Sequence, residues 1–279
     1  MKIHSKFCGK RYCVFAKRHN GNAWSTWTDT DDLNEAMKHV AKVRELGFLG
    51  KVTDRKEHRI ITSDEYTGVK MKELKELFSK LLDLKDKYVH LDNDASFYFE
   101  RTGNTLHIYF EDSNGKTDWK NNFKFAAKSV VSVKKPYKNM SDKWKAHRGF
   151  LGVWKTIEPY LQPYICDLDI DKIIIGGYSH GAAIALLCYE YCKYNRPDIS
   201  KNIEGYGFGC PRVVWGFLRK SVKERFNGFL VIKNGKDLVT HVPPALFGYR
   251  HVGNILKIGR NKRYRPIESH FPDKYLIEL

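Results

Sequence analysis

Apolar residues change their spacing several times along this chain, and each change marks an element. In "KRYCVFAKRHNGNAWSTWT", residues 10–28, two strand-like runs flank His19-Asn20-Gly21-Asn22, which predicts a hairpin. In "DTDDLNEAMKHVAKVRELG", Leu33, Met37, Val40 and Leu46 recur at helical spacing. Asp29, Thr30 or Asp31 can cap that helix, and Gly47 ends it. "KVTDRKEHRII" returns as another strand. Residues 1–66 thus read as a small α+β module of ββαβ order, and residues 67–279 as a second, larger domain. The larger part opens on "VKMKELKELFSKLLDLKDKYVHL". Met71, Leu74, Leu77, Phe78, Leu81 and Leu82 form one face of this amphipathic helix, and charges form the other.

Beyond it the pattern alternates. "SFYFER", "TLHIYFED" and "FKFAAKSVVSV" read as strands, and "GFLGVWKTIEPYLQPYI" as a helix. "DKIIIGGYS" is a strand, "HGAAIALLCYEYCKY" a helix, and "IEGYGFG" and "GFLVIKN" are strands. Strands that alternate with helices, several of them apolar on both faces, predict an α/β fold with a mostly parallel sheet covered on both sides. No repeat or low-complexity tract interrupts it.

Composition adds size and charge. The chain has 279 residues, 42% of them hydrophobic, enough for a sizeable core. Its formal net charge of +17 favours anionic partners: a membrane surface, an acidic substrate or nucleic acid. Nucleic acid is the least favoured, since only Tyr264 among the arginines of "KIGRNKRYRP" points to it. The six cysteines form no CxxC pair and have no histidine cluster beside them, so no metal is expected. Reduced thiols in a cytoplasmic protein, peripheral at membranes, is the expectation they give. The N-terminal residues include no apolar signal core, and no stretch reaches the roughly 18 apolar residues of a membrane span.

The candidate chemistry centres on "IIIGGYSHGAAIALL". Gly177-Tyr178-Ser179-His180-Gly181 is a G-x-S-x-G placed where a buried strand turns into an apolar helix. So tight a turn strains the serine backbone and exposes its oxygen, and the helix N-terminus directs N–H groups toward developing negative charge. The two glycines remove side chains where strand and helix cross. These features make Ser179 a candidate nucleophile.

Six segments then resemble the class 3, fungal-lipase-like family of α/β-hydrolases, in the family's order over about residues 71–279. They are "LHIYFEDSNGKTDWKNN", "AHRGFL", "YGFGCPRV", "VIKNGKDLVTHVPP", "FGYRHVG" and "ESHFPDKYL", beside the elbow itself. The resemblance implies an α/β-hydrolase fold and a serine carboxylic-ester hydrolase acting on a lipid or lipid-like ester, acylglycerol or phospholipid, without a cofactor. Two departures stand out. Phe110-Glu111-Asp112-Ser113 replaces the family's F-R-G-T, and the elbow carries Tyr178 and His180 where histidine and leucine are usual.

The resemblance also implies roles. Ser179 is the nucleophile and Asp237, in a Gly-Lys-Asp turn after "FLVIKN", the orienting acid. His251 and His270 both follow Asp237 and satisfy the Ser…Asp…His order; the family pattern favours His270 as the base. The backbone N–H groups of His180 and Ser113 would hold the oxyanion. "SNGKTDWKNNFKF" would form a lid or rim, with Trp119, Phe123 and Tyr178 toward substrate and Lys116, Lys120 and Lys124 toward an anionic membrane. His147 and His241 are read as structural or rim residues. The alternatives are an esterase of small soluble esters, and a catalytically silent scaffold that binds a protein or an anionic surface. The 1–66 module has no catalytic constellation and is read as a place for a protein partner.

Overall fold

The computed structural model describes residues 9–17, 24–46, 48–56, 59–63, 71–112, 133–134, 144–259 and 264–279. Its centre is a seven-stranded sheet. In chain order the strands are β5 (Val89–Leu91), β6 (Ala95–Thr102), β7 (Thr105–Phe110), β10 (Lys172–Tyr178), β11 (Ile203–Phe208), β13 (Phe229–Asn234) and β15 (Asn254–Ile258). Their spatial order is β15-β13-β11-β10-β7-β6-β5. The pairs from β7 through β15 are parallel, and β5 and β6 are added antiparallel at one edge.

Both faces of this sheet are covered, as its unbroken apolar strands require. Helices α3 (Arg148–Ile165) and α4 (His180–Asn195) cover one face, where Trp154, Ile157 and Leu161 meet Ile184, Leu187, Ile173 and Ile175. Helix α2 (Met71–Asp83) and the C-terminal α6 (Pro272–Glu278) cover the other, where Leu74, Phe78 and Leu81 meet Tyr109, Phe208 and Tyr275. Helix α4 is buried at every residue from Gly181 to Cys192, because it lies between the sheet and α3. That position explains an apolar pattern with no polar face. The short helix α5 (Lys220–Arg225) buries only Val222.

Residues 12–63 build their own antiparallel sheet from β1 (Tyr12–Lys17), β2 (Ser25–Thr30), β3 (Leu49–Asp54) and β4 (Arg59–Ser63), in the spatial order β2-β1-β3-β4. Helix α1 (Leu33–Glu45) packs Ala36, Val40 and Val43 on Val14, Ala16 and Val52. Two details differ from the sequence reading. Residues 51–61 are not one strand but belong to two, so the order is ββαββ. The cap of α1 is Asp32, whose carboxylate accepts from the N–H groups of Asn34 (2.6 Å) and Glu35 (3.1 Å). Asp29 instead accepts from Gly9 and Lys10, and Asp31 from Arg11, which tie the start of β1 to the end of β2.

A third sheet has no counterpart in the sequence pattern. Its strands are β8 (Val133–Lys134), β9 (Lys145–His147), β12 (Val214–Trp215) and β14 (Tyr249–Arg250), in the spatial order β14-β12-β9-β8. Segments of two or three residues are too short to show an alternating pattern. Most of the strand expected in "FKFAAKSVVSV" lies outside the described residues.

Candidate active site

Ser179 sits between β10 and α4 with φ 55° and ψ −119°, a conformation that costs a non-glycine residue about 1–3 kcal/mol. Its N–H is held by the carbonyl of Phe208 at 2.9 Å, and its own carbonyl accepts from Ala182 N–H at 3.1 Å. The neighbours must be glycine. A Cβ on Gly177 would collide with the carbonyl of Gly181, and a Cβ on Gly181 with the carbonyls of Phe110 and Glu111. The end of β7 is therefore pressed against the first turn of α4.

Two further side chains converge on this serine. His270 Nε2 lies 2.8 Å from Ser179 Oγ, and His270 Nδ1 lies 2.7 Å from Asp237 Oδ2. A carboxylate at Nδ1 requires the proton there, which leaves Nε2 as the acceptor for the serine hydroxyl. Asp237 follows β13 and is fully buried, as is His270; Ser179 is 6% exposed. The Asp237 carboxylate also accepts from Val239 N–H (2.8 Å) and from the Tyr275 hydroxyl (2.6 Å). Burial and the adjacent carboxylate raise the Tyr275 phenol well above its usual pKa, so it stays a donor. Asn234 donates its side-chain N–H to the Ser269 carbonyl at 3.1 Å, and Tyr178 donates its hydroxyl to the His270 carbonyl. These bonds fix the turn that carries His270.

Tyr178 is not at a substrate-facing rim. It is 5% exposed and stacks on the His270 ring, with centroids 5.0 Å apart and planes 18° apart. Strand alternation puts it on the α2 face, against Phe78 and Phe208. Gly209 lies under the same imidazole. With φ +61°, it would place a Cβ 2.7 Å from His270 Cε1 and 3.1 Å from Asp237 Oδ2. Sequence reasoning misses both Gly209 and the support from Asn234.

The other histidines have different partners. His251 donates from Nε2 to the Thr240 carbonyl at 2.7 Å, and His241 donates from Nδ1 to the Asp237 carbonyl at 2.8 Å. Both brace the loop that carries Asp237. Burial, helped by Lys233, pulls His251 down to about 3. His147 caps α3 by accepting from Phe150 N–H at 3.5 Å. Burial pulls His147 and His180 down to about 4, so both are neutral at pH 7. The His180 N–H opens α4 beside Ser179, where a helix has unpaired donors. Ser113, Trp119, Phe123, Lys116, Lys120 and Lys124 lie outside the described residues. Among the described residues no group of three or more His, Cys, Asp or Glu side chains could hold a metal.

The family model of the class 3 lipases matches residues 107–247, half of the chain. The chain belongs to the class 3 lipase family. Its fold is that of the α/β-hydrolases. A lipase of Rhizomucor miehei is 29% identical over 155 residues, 53% of this chain and 40% of that protein. A secreted mono- and diacylglycerol lipase of Malassezia globosa is 34% identical over 113 residues, 38% of this chain and 35% of that protein. The matched part is thus well under half of these curated relatives. The solved triacylglyceride lipase of Rhizomucor miehei superposes with a TM-score of 0.54 at 22% identity, covering 70% of this chain and 82% of its own.

The cytoplasmic expectation is corrected by these relatives, since the Malassezia protein is named as secreted. The cysteines agree with the correction. Cys166, Cys188, Cys192 and Cys210 are free, but Cys13 is in a disulfide, a bond that persists in oxidising compartments. The all-reduced expectation therefore fails at Cys13.

Proposed function

We propose that this protein is a serine carboxylic-ester hydrolase of lipid esters, acylglycerols before phospholipids, working outside the cytoplasm. The observation that carries the reading is the unbroken relay Ser179–His270–Asp237 set on a strained strand-to-helix turn. His270 Nε2 takes the hydroxyl proton as Ser179 Oγ attacks the ester carbonyl carbon. The His180 N–H, with the Ser113 N–H as the second donor, holds the oxyanion. The tetrahedral intermediate collapses as His270 returns the proton to the leaving alcohol. A water, deprotonated by the same nitrogen, then releases the acid from the serine ester. Asp237 keeps the imidazole in the required tautomer and stabilises its cationic form.

The names of the relatives support acylglycerols as substrate. The net charge of +17 supports work at an anionic lipid surface, with the Trp119–Phe123 segment as a cover for the acyl site. Among the described residues of 1–66 none touches the relay, and these residues build a sheet and helix of their own, suited to a protein partner.

The test is direct. Ser179→Ala should abolish both ester turnover and labelling by a fluorophosphonate, and His270→Ala should cost as much, about four to six orders of magnitude in kcat. The double variant should be little worse than either single one, because the residues act as a unit. Labelling that persists in Ser179→Ala would overturn the assignment. A panel of acyl chain lengths and headgroups then ranks acylglycerols against phospholipids and small esters.

A further inference from the structure

Two loops leave the carboxyl end of the central sheet beside the relay. One follows β11 and carries Gly209, the other follows β13 and carries Asp237. They meet again in the third sheet, where Trp215 pairs with Tyr249 and Val214 with Arg250. The Trp215 indole N–H donates to the Phe247 carbonyl at 2.8 Å. Left-handed turns at Gly216 (φ 78°) and Gly248 (φ 86°) bend both chains there.

At these two tips large apolar side chains stand in solvent. Phe217 and Leu246 are each 91% exposed, and Phe247 is 51% exposed. Cations flank them. The Arg250 guanidinium lies 4.5 Å from the Phe217 ring centroid, and the Lys145 ammonium lies 4.7 Å from that of Trp215. Lys220, three residues beyond Phe217, has a side chain that is 91% exposed. The knob is also linked to the nucleophile. Ring contacts run from Tyr249 to His147 (5.8 Å), His147 to Phe150 (4.6 Å) and Phe150 to His180 (5.5 Å).

Apolar tips ringed by cations, on a molecule of net charge +17, match the layering of an anionic bilayer: acyl chains below, phosphates above. We propose that this knob is the face by which the protein docks on anionic lipid. Phe217, Leu246 and Phe247 enter the acyl layer, and Lys145, Arg250 and Lys220 meet the phosphates. Docking there brings the carboxyl end of the sheet, and hence Ser179, to the surface that holds the ester. The proposal rests on the lipid-ester reading of the site and adds a contact outside the lid segment.

The test uses the full chain and vesicles of ether-linked lipid, which has no ester to cleave. Equal parts phosphatidylglycerol and phosphatidylcholine headgroups are compared with phosphatidylcholine alone by co-sedimentation. Wild type should bind the anionic vesicles more tightly, and Phe217→Ser/Leu246→Ser should bind them at least tenfold more weakly. Turnover of a short soluble ester by the double variant reports that it has folded. Leu168→Ser is the control. Leu168 is 83% exposed but precedes β10, at the opposite end of the sheet, so this variant should bind like wild type. A second readout is Phe217→Cys carrying an environment-sensitive fluorophore, whose emission should shift to the blue on anionic vesicles. Undiminished binding by the double variant, an equal loss in Leu168→Ser, or an unshifted fluorophore would each overturn the proposal. So would self-association abolished by the double variant without vesicle binding, which would make a second copy the occupant. If no protein turns over the soluble ester but the binding pattern holds, the docking face stands and the hydrolase reading falls.

Discussion

Among the described residues, Asn93, Asp94 and Ser179 are the non-glycine residues with positive φ, and Ser179 alone of these follows a central parallel strand. Its strain makes sense beside what surrounds it. Gly209 is the matching concession on the far side of the relay, an absent side chain that leaves room for the imidazole. Gly209→Ala should therefore act on geometry. A Cβ 2.7 Å from His270 Cε1 must push the ring off the line between Asp237 and Ser179. A displacement of that kind is worth about a hundredfold in kcat. The expected outcome is kcat lowered by about that factor with KM little changed, measured on a soluble ester. A variant with wild-type kcat would mean that the ring has slack. At this scale the sequence was informative about which residues meet, because Ser179, Asp237 and His270 each sit in a segment with its own local chemistry. It was silent about what holds them. Nothing in "YGFGCP" says that Gly209 lies under an imidazole, since that ring arrives from a turn 61 positions later. Tyr178 was misplaced for a related reason: its strand position was legible, but its partner across the sheet was not.

At the scale of elements, the junction of β7, β10 and α4 has no room for a side chain at either of its glycines. Two substitutions to alanine separate crowding from backbone conformation. Gly181→Ala drives a Cβ into the carbonyls of Phe110 and Glu111, and neither can yield without moving the end of β7. A loss of about 2–3 kcal/mol is expected in urea unfolding, with activity falling as the elbow opens. Gly103 has φ +59°, but a Cβ there would meet nothing within 4 Å. Gly103→Ala should therefore cost only about 1–2 kcal/mol of backbone strain and spare activity. Equal losses in the two would mean that the junction relaxes. The same contrast explains which elements were legible. Helices α1 and α2 have apolar stripes at the period of 3.6, and β10, β11 and β13 are apolar runs of strand length bounded by turns. The third sheet carries the apolar knob yet left no trace, because its strands are held by neighbours distant in sequence rather than by their own pattern. The α1 cap was misread by one residue, since four successive residues, Asp29 to Asp32, all offer an oxygen and only tertiary contacts decide among them.

On the scale of the whole molecule, pH links the histidines to stability. His147, His180 and His251 are held neutral by burial, down to about 4, 4 and 3, against about 6.5 in an unfolded chain. Below about pH 6.5 the unfolded state takes up protons that the folded state refuses, so its free energy falls relative to the folded state as pH falls. Stability is thus fully present above about pH 6.5 and declines as the solution is acidified toward 4. Each such histidine adds a slope of about 1.4 kcal/mol per pH unit where its two states differ by a whole proton. The rising positive charge of a chain already at +17 acts in the same direction. A single substitution isolates the histidine contribution. His147→Asn keeps an oxygen able to cap α3, since asparagine is among the best N-caps, and removes one titrating group. Some absolute stability is lost with the ring that packs on Phe150 and Tyr249, but the pH dependence should flatten. Urea unfolding at intervals from pH 4.5 to 6.5 should show the slope reduced by close to one proton between pH 4.5 and 6. Because the carboxylates are the same in both proteins, the difference between the two curves belongs to His147. An unchanged slope would mean that His147 protonates in the folded chain as readily as in the unfolded one.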